Sequence, residues 1–429
     1  MATTKASTYS AMINDYLPYE LLESEFKKQD WLWTKCNFKK GWAGGEMAVP
    51  FVSAIPSSIK MGALVSDDDI ATGKYVRGTL SGYVESYGAM AFNSRDLMDH
   101  GKLSSQNFLK LVPDAIDQLM KFFRQSASIQ ILGGSHLDTV ATAFDAATDV
   151  LAVNHPERFQ IDQKIVVYDG SVTATGYVKT INKNTGLISF VTTRGGSTAV
   201  DLAGLTEATT KVYTEGGTGT SFGSLKKMIL SAAAGGSDTF CGQTKTDSPF
   251  TQSVLYDAGG SSANTGDWNA EVIKYNKILD LVFDALRKGY QLGAEPRTFV
   301  MSYKNYSACL KTLESGAGAY KNIKPSASYA NYMEMSVGGV NGACDIVAVR
   351  EMDNDWIAGI NPDYLDFHTA TNPFSIMSDP DGKKFYTKRA TTGYLYVSDV
   401  QLVGDFLYRH PWSAVGIFNI PDFKFNTTA

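Results

Sequence analysis

Charge is scarce in this sequence. Asp, Glu, Lys and Arg supply 19% of its 429 residues, where an ordinary soluble domain carries about a quarter. Acidic residues (44) outnumber basic ones (39), for a net charge of -5. A chain that grips nucleic acid through phosphates needs a basic excess or patch, so bulk electrostatics exclude that class. The first 45 residues mix signs, with Lys27, Lys28, Lys39 and Lys40 offset by Glu20, Glu23, Glu25 and Asp30. A surface poor in charge is what neighbouring copies covering it would require.

Cysteine is also sparse. Cys36, Cys241, Cys309 and Cys344 stand far apart and form no CxxC pair. That argues against a zinc knuckle, a redox motif or a disulfide framework, and four free thiols in a reducing cytoplasm are expected. Met1 to Ser10 has no apolar segment of the signal-peptide kind, and no run approaches a membrane span. The expected product is soluble and made in a cytoplasm.

Catalytic patterns are missing as well. The five histidines (His100, His136, His155, His368 and His410) show no metal-ligand spacing, and there is no GxSxG, Walker loop or strand-linked GxGxxG. The acidic runs at Asp67 to Asp69 and Asp353 to Asp355 could attract a cation. SDPDG at 378 to 382 resembles part of a calcium loop but lacks its downstream ligands, and a Pro-Asp-Gly turn explains it. No catalytic, cofactor-binding or metal-ligating residue is therefore assigned, and no enzyme is expected.

What is present is an order of elements. Residues 1 to 44 read as an arm, with Tyr19, Leu22 and Phe26 on one helical face, followed by Trp31, Leu32 and Trp33. Residues 45 to 80 read as a long hairpin whose Pro50 and Pro56 demote it to edge strands, and the strand-like return continues to residue 93. Leu109, Val112, Ile116, Leu119, Met120, Phe123 and Ala127 form a helical stripe that stops at Gly133 and Gly134. Pro113 should start or kink that helix. From 155 to 214 apolar residues alternate at period two, with tight turns at Asp169-Gly170 and Asn184-Thr185-Gly186, which reads as a small β-barrel inserted in a mixed domain. Loop-rich sequence from 215 to 266 contains one short helix. A second clear helix spans 267 to 289, with Asp267 as candidate N-cap and Gly289 as stop. A buried strand TFVM follows at 298 to 301, and β structure from Tyr386 to Ile420 closes the chain.

This order resembles the major capsid proteins of tailed double-stranded DNA bacteriophages, with the Hong Kong 97-type fold. Four segments carry the resemblance. The first is arm, extended hairpin and long "spine" helix over 1 to 134. The second is the helix end ILGG, resumed by a short helix FGSLKKMIL at 222 to 230, so that 135 to 217 reads as an insertion. The third is VFDALRKGYQLGAEPRTFVMSYKNYSACLKTL at 282 to 313. The last is GYLYVSDVQLVGDFLYRHPWSAVGIFNI, in which a Pro precedes a final strand.

The resemblance implies an α+β chain divided into an arm (1–44), extended hairpin (45–80), peripheral domain with spine helix (81–134), insertion (135–217, barrel about 155–214), axial domain (218–384) and C-terminal strands returning to the peripheral domain (385–429). It implies a homo-oligomer of hexamers and pentamers in an icosahedral head enclosing DNA, located in the virion after assembly in the host cytoplasm. Portal and possible decoration proteins are implied partners. Too little chain precedes the hairpin for a built-in scaffolding segment, so a separate scaffold is expected. Family members can join a hairpin Lys to a neighbour's Asn by an isopeptide bond, and Lys60 lies in that element. Encapsulin-like shells and a phage tail or adhesin protein are the competing readings; a hydrolase carrying a small β-domain is the enzyme alternative. No internal repeat favours an elongated adhesin. The cluster of Trp31 and Trp33 reads either as ordinary core or as part of an arm reaching a neighbouring subunit, and the second is the expectation carried forward.

Overall fold

Asp30 opens the first helix, α1 (Trp31–Lys35), by accepting the Leu32 N–H at 2.9 Å, the usual satisfaction of an orphan helix donor. In this computed structural model the described residues are 30–42, 45–54, 74–80, 82–93, 105–134, 136–140, 150–202, 204–206, 210–218, 221–258, 278–315, 332–339, 342–370, 373–376, 386–390 and 393–420. Lys60, His100, Asp67 to Asp69, the helical stripe near Tyr19 and the SDPDG turn lie outside them.

The α1 tryptophans correct the sequence expectation. Trp31 is 2% exposed and Trp33 is fully buried in the chain's own core, not free to anchor on a neighbour. The reason is chemical as well as steric. The Trp33 indole N–H donates to Ser128 Oγ at 2.8 Å, so the ring enters the core without an orphaned donor. Phe38 stacks on it and Phe367 meets it edge-on.

After α1, strand β1 (Asn37–Lys40) runs parallel to a later strand. β2 (Met47–Ala54) and β3 (Lys74–Leu80) pair only with each other, as an antiparallel ribbon. Exposed Pro50 removes no ladder bond that a third strand would need. Val49 and Phe51 alternate inward, and Phe51 lies 5.0 Å from the Phe240 ring. β4 (Val84–Asn93) follows as a separate strand. Helix α2 (Ser105–Gly133) is 29 residues long, about 43 Å at the α-helical rise. It begins eight residues before Pro113 and passes through it, so Pro113 does not start the helix. Among its described side chains Met120, Phe123, Ala127, Ile131 and Leu132 are buried. Gly134, at φ 89°, ends it in a conformation that suits glycine.

The insertion contains β5 (Asp138–Thr139), β6 (Val150–Ala152), β7 (Lys164–Tyr168), β8 (Thr173–Asn182), β9 (Leu187–Val191) and β10 (Lys211–Thr214). They pair antiparallel in the order β5-β10-β7-β8-β9-β6, and a bridge between Val140 and Val153 joins the two end strands. Leu151, Ile165, Val167, Val178, Ile188 and Val212 fill its interior. Sheet pairing therefore starts at Asp138, not near 155. Strands of two and three residues are too short to show alternation in sequence. At the β7–β8 turn Asp169 Oδ1 accepts the Ser171 and Val172 N–H groups. At the β8–β9 turn Asn182 to Thr185 are exposed but Gly186 is buried.

The rest of the chain supplies α3 (Leu225–Ile229), a ribbon of β11 (Thr239–Phe240) and β12 (Gln243–Thr244), then β13 (Val254–Asp257), α4 (Ile278–Gln291), β14 (Thr298–Met301) and α5 (Tyr303–Ser315). It continues through β15 (Tyr332–Gly339), β16 (Gly342–Val349), β17 (Ile357–Ile360), β18 (Leu365–Thr369), β19 (Phe374–Ile376), β20 (Tyr386–Ala390), β21 (Gly393–Tyr408) and β22 (Val415–Phe418). The expected N-cap Asp267 lies outside the described residues. The TFVM strand is β14, buried at every residue. One sheet runs β13-β22-β17-β14-β16-β15 and shares a core with α4 and α5. The 16-residue β21 organises the other, pairing with β4, β18, β19 and β20, while β1 pairs with β18 at its edge.

Both sheets draw strands from either side of residue 384. β18 and β19 belong with β21 although they precede residue 384. β22 leaves the closing strands and pairs with β13 and β17. The turn at Pro411–Ser413 causes this switch, since proline breaks the ladder and redirects the chain.

Two measurements test this packing. Trp33→Ala should lower the unfolding free energy of the purified subunit by about 3–5 kcal/mol in urea titration; a change below about 1 kcal/mol would remove the arm from the core. Gly186 has φ 72°, and an added Cβ would meet the Val153 carbonyl oxygen at 2.6 Å. Gly186→Ala should cost more than about 1 kcal/mol, whereas Asn184→Ala, at an exposed turn residue, should cost clearly less.

Candidate functional site

The turn from Arg350 to Trp356, between β16 and β17, is where several parts of the chain meet through charge. Arg158 enters it from the insertion and is 3% exposed. One guanidinium nitrogen donates to Leu137 O at 2.9 Å and Asp353 Oδ1 at 3.0 Å, and the other donates to Glu351 O at 3.0 Å. Lys226 of α3 places Nζ 2.7 Å from Asp355 Oδ2 and 4.0 Å from Asp353 Oδ2. Asn305 of α5 donates to Asn354 O at 3.1 Å. Burial alone would raise the Asp353 carboxyl, but Arg158 and Lys226 outweigh it and hold it below its ordinary range. The Asp353 to Asp355 run thus meets the protein's own cations.

The arm reaches the same region. Asp30 Oδ2 accepts Ser128 Oγ–H at 3.0 Å on α2, the hydroxyl that also receives the Trp33 indole. Glu351 is 5% exposed and ion-paired with Arg350 at 3.3 Å. Burial, and then the nearby Asp30 charge, push Glu351 up to about 7. Burial also raises Asp30, against the opposing pull of Arg124 and its hydrogen bonds.

Four histidines lie among the described residues. His155 Nδ1 lies 3.0 Å from Asp138 Oδ1, and its backbone N–H donates to Oδ2 of the same residue at 2.6 Å. Its Nε2 faces the Asn354 amide at 3.4 Å, not a hydroxyl or thiol to be activated. Burial drives His136 down to about 4, so it is neutral at pH 7. Burial also lowers His368 and His410. Cys36, Cys309 and Cys344 are buried, and burial pushes Cys241, Cys309 and Cys344 up to about 12, a range in which thiols are poor nucleophiles. Among the described residues no three metal-ligating side chains gather at one point.

Clefts open at the surface of the described residues. One, of about 630 Å³, lies between β4, α2 and the insertion and is lined by Leu119, Phe122, Phe123, Ile161 and Phe222. Another, of about 610 Å³, lies beside β1 and β18, where Lys39, His368, Arg409 and Asp366 meet. Neither pairs a nucleophile with a base. The junction at 350–356 can hold segments together and bind protons. Sequence reading missed Arg158 and Glu351, because a single charged residue in a short turn carries no pattern that marks burial.

No family model matches the sequence, and no curated protein does. Among solved structures the chain is similar to the capsid of the native GTA particle, at 12% identity over 91% of this chain and 90% of that one, with a TM-score of 0.45. It is similar to the cyanophage A-1(L) capsid at 11% identity, over 92% and 93%, with a TM-score of 0.47. A third similarity is to the procapsid of satellite phage P4 that includes the size determination protein, at 9% identity over 98% of each chain, with a TM-score of 0.43. The functional conclusion is drawn from the chain's own elements.

Removing the arginine tests the junction. Arg158→Met leaves Asp353 short of one buried partner and should cost about 3–5 kcal/mol of stability. Hydrogen exchange should rise at Leu137 and Arg158 before it rises in the interior strands of the insertion. Unchanged protection at Leu137 in a folded variant would show that the guanidinium does not seat this unit.

Proposed function

We propose that this chain is a structural shell subunit, the major capsid protein of a tailed double-stranded DNA bacteriophage, and not an enzyme. One observation carries the reading: the ordered series of α1, the extended ribbon β2–β3, the 29-residue α2, the α4–β14–α5 unit and the closing strands β21 and β22 stands at the positions on which the sequence resemblance rests. Copies contact one another through different patches, and the rotation closes into pentamers and hexamers. Many weak contacts per subunit make the shell cooperative.

In this reading α2 with the β21 sheet is the peripheral part, and α4 and α5 on their sheet are the axial part. The six-stranded insertion is a small barrel that stabilises the subunit or projects outward. A separate scaffold, a portal and decoration proteins are the expected partners. The shell encloses DNA without reading its sequence, after synthesis in the host cytoplasm. Encapsulin-like shell formation is the nearest alternative, and binding through the inserted unit of a tail or adhesin protein is the next.

Electron microscopy of the expressed chain, alone and with its scaffold, tests this directly. Closed shells or sheets of hexamers are expected; elongated trimers would support the adhesin reading, and small discrete oligomers under both conditions would overturn the shell assignment. Deleting Ser57 to Thr72, which lie between β2 and β3 in the sequence, should leave a folded, soluble subunit that makes no closed shells. Normal particles from that deletion would show that the ribbon is dispensable for closure.

A further inference from the structure

Among the described residues the β2–β3 ribbon pairs with no third strand, and a two-stranded ribbon alone is marginal in water. Its base is nevertheless gripped from outside by the β11–β12 hairpin. Phe240 pairs with Gln243 across a two-residue turn, Cys241 and Gly242. Both turn residues have positive φ, 47° and 76°, the pattern of a type I′ hairpin. Cys241 thus holds a backbone conformation that is costly for a residue with a side chain. The turn meets β3 directly. The Cys241 carbonyl oxygen accepts the Thr79 N–H at 2.8 Å, and the Gln243 side-chain amide donates to Arg77 O at 3.0 Å. Arg77 and Thr79 are two residues apart, so both groups lie on one edge of β3, the edge turned away from β2. Gly78 between them leaves room for this approach, since a Cβ there would meet the Phe51 ring and, at 3.0 Å, Cys241 Cβ. Phe240 packs on Phe51 of β2, with ring centroids 5.0 Å apart. One turn therefore touches both strands of the ribbon.

The hairpin is fixed in its own right. Lys245, 7% exposed, follows β12 and donates Nζ to Lys227 O at 2.8 Å and to Leu230 O at 2.7 Å. These are carbonyls at the end of α3, which helices leave without partners of their own. The Lys245 backbone N–H donates to Asp238 O at 2.8 Å, just before β11. Lys226 of the same helix is held by Asp355. Hydrogen bonds and one ion pair thus run without a break from the 350–356 turn through α3 to the ribbon.

We propose that the Phe240–Gln243 turn is a hook that sets the direction in which the β2–β3 ribbon leaves the subunit, and that Lys245 is the pin tying the hook to α3. The left-handed turn brings the Cys241 carbonyl to the edge of β3. Without the hook the ribbon is restrained only where its two strands join the body, and it swings about that base as a local motion of low cost. The hook belongs to the single chain. Only its consequence, that the ribbon meets a neighbouring copy in one orientation, rests on the shell reading.

The test uses the full chain as free subunits, so its outcome does not depend on shell formation. Hydrogen exchange is read at the Thr79 amide. Spin labels at Lys74→Cys, on the outermost described rung of the ribbon, and at Leu292→Cys, an exposed position on the body, report their separation in a Cys241→Ser background. That parent chain should give one narrow distance distribution. Lys245→Met removes the pin and should raise the Thr79 exchange rate about tenfold and broaden the distances. Gly242→Val places a branched side chain at an exposed turn residue with positive φ. It should have the same two effects by about the same factor, and it decides the matter if Lys245→Met does not fold. Amides of β14 should exchange as before in both variants. Unchanged Thr79 exchange with narrow distances in folded Gly242→Val would overturn the hook. So would a broad distribution in the parent chain.

Discussion

Burying charge is costly unless each charge finds a partner, and this fold gathers several of its buried charges around one turn. Arg350 to Trp356 receives a cation from the insertion, another from α3, an amide from α5 and the field of a carboxyl from the arm. An arginine that donates to two main-chain oxygens and a carboxylate cannot be moved without leaving all three under-satisfied. The relative placement of the insertion and the main body follows from that constraint. The arm is held to the same place by an independent means, the packing of Trp31, Leu32 and Trp33.

The three hydrophobic clusters follow this arrangement. One joins α1, the ribbon, α2 and the β21 sheet; one joins α4 and α5 to their sheet; one fills the insertion. Val300 and Phe299 are neighbours on β14 yet belong to the first and second clusters. Alternate side chains of a strand point to opposite faces, so a strand buried at every residue, such as TFVM, serves two cores at once. That explains why this segment lacks the alternation seen in β8, whose outer face meets solvent.

Several buried or part-buried polar side chains are placed against groups of another segment. His155 is held between Asp138 and Asn354, and Lys245 donates to the Lys227 and Leu230 carbonyls. Each arrangement ties two segments together.

The sequence by itself determined the elements whose signal is local. The helical stripe ending at Gly133 and Gly134, the alternation through β7 to β9, the apolar run of β14 and the turn at Asp169 are all set by the spacing of side chains and by backbone preference. What only the tertiary structure decided is non-local. From the sequence alone Trp33 is expected at a neighbour, because its partners, Ser128 and Phe367, lie about a hundred and more than three hundred residues away. β5 and β6 are too short to show a period, and β22 changes sheet at a proline turn that the sequence shows but whose direction it does not specify. The same holds for Arg158 and Glu351. Whether a lone charge is buried depends on which distant groups arrive to pair with it, and that is settled only when the chain has packed.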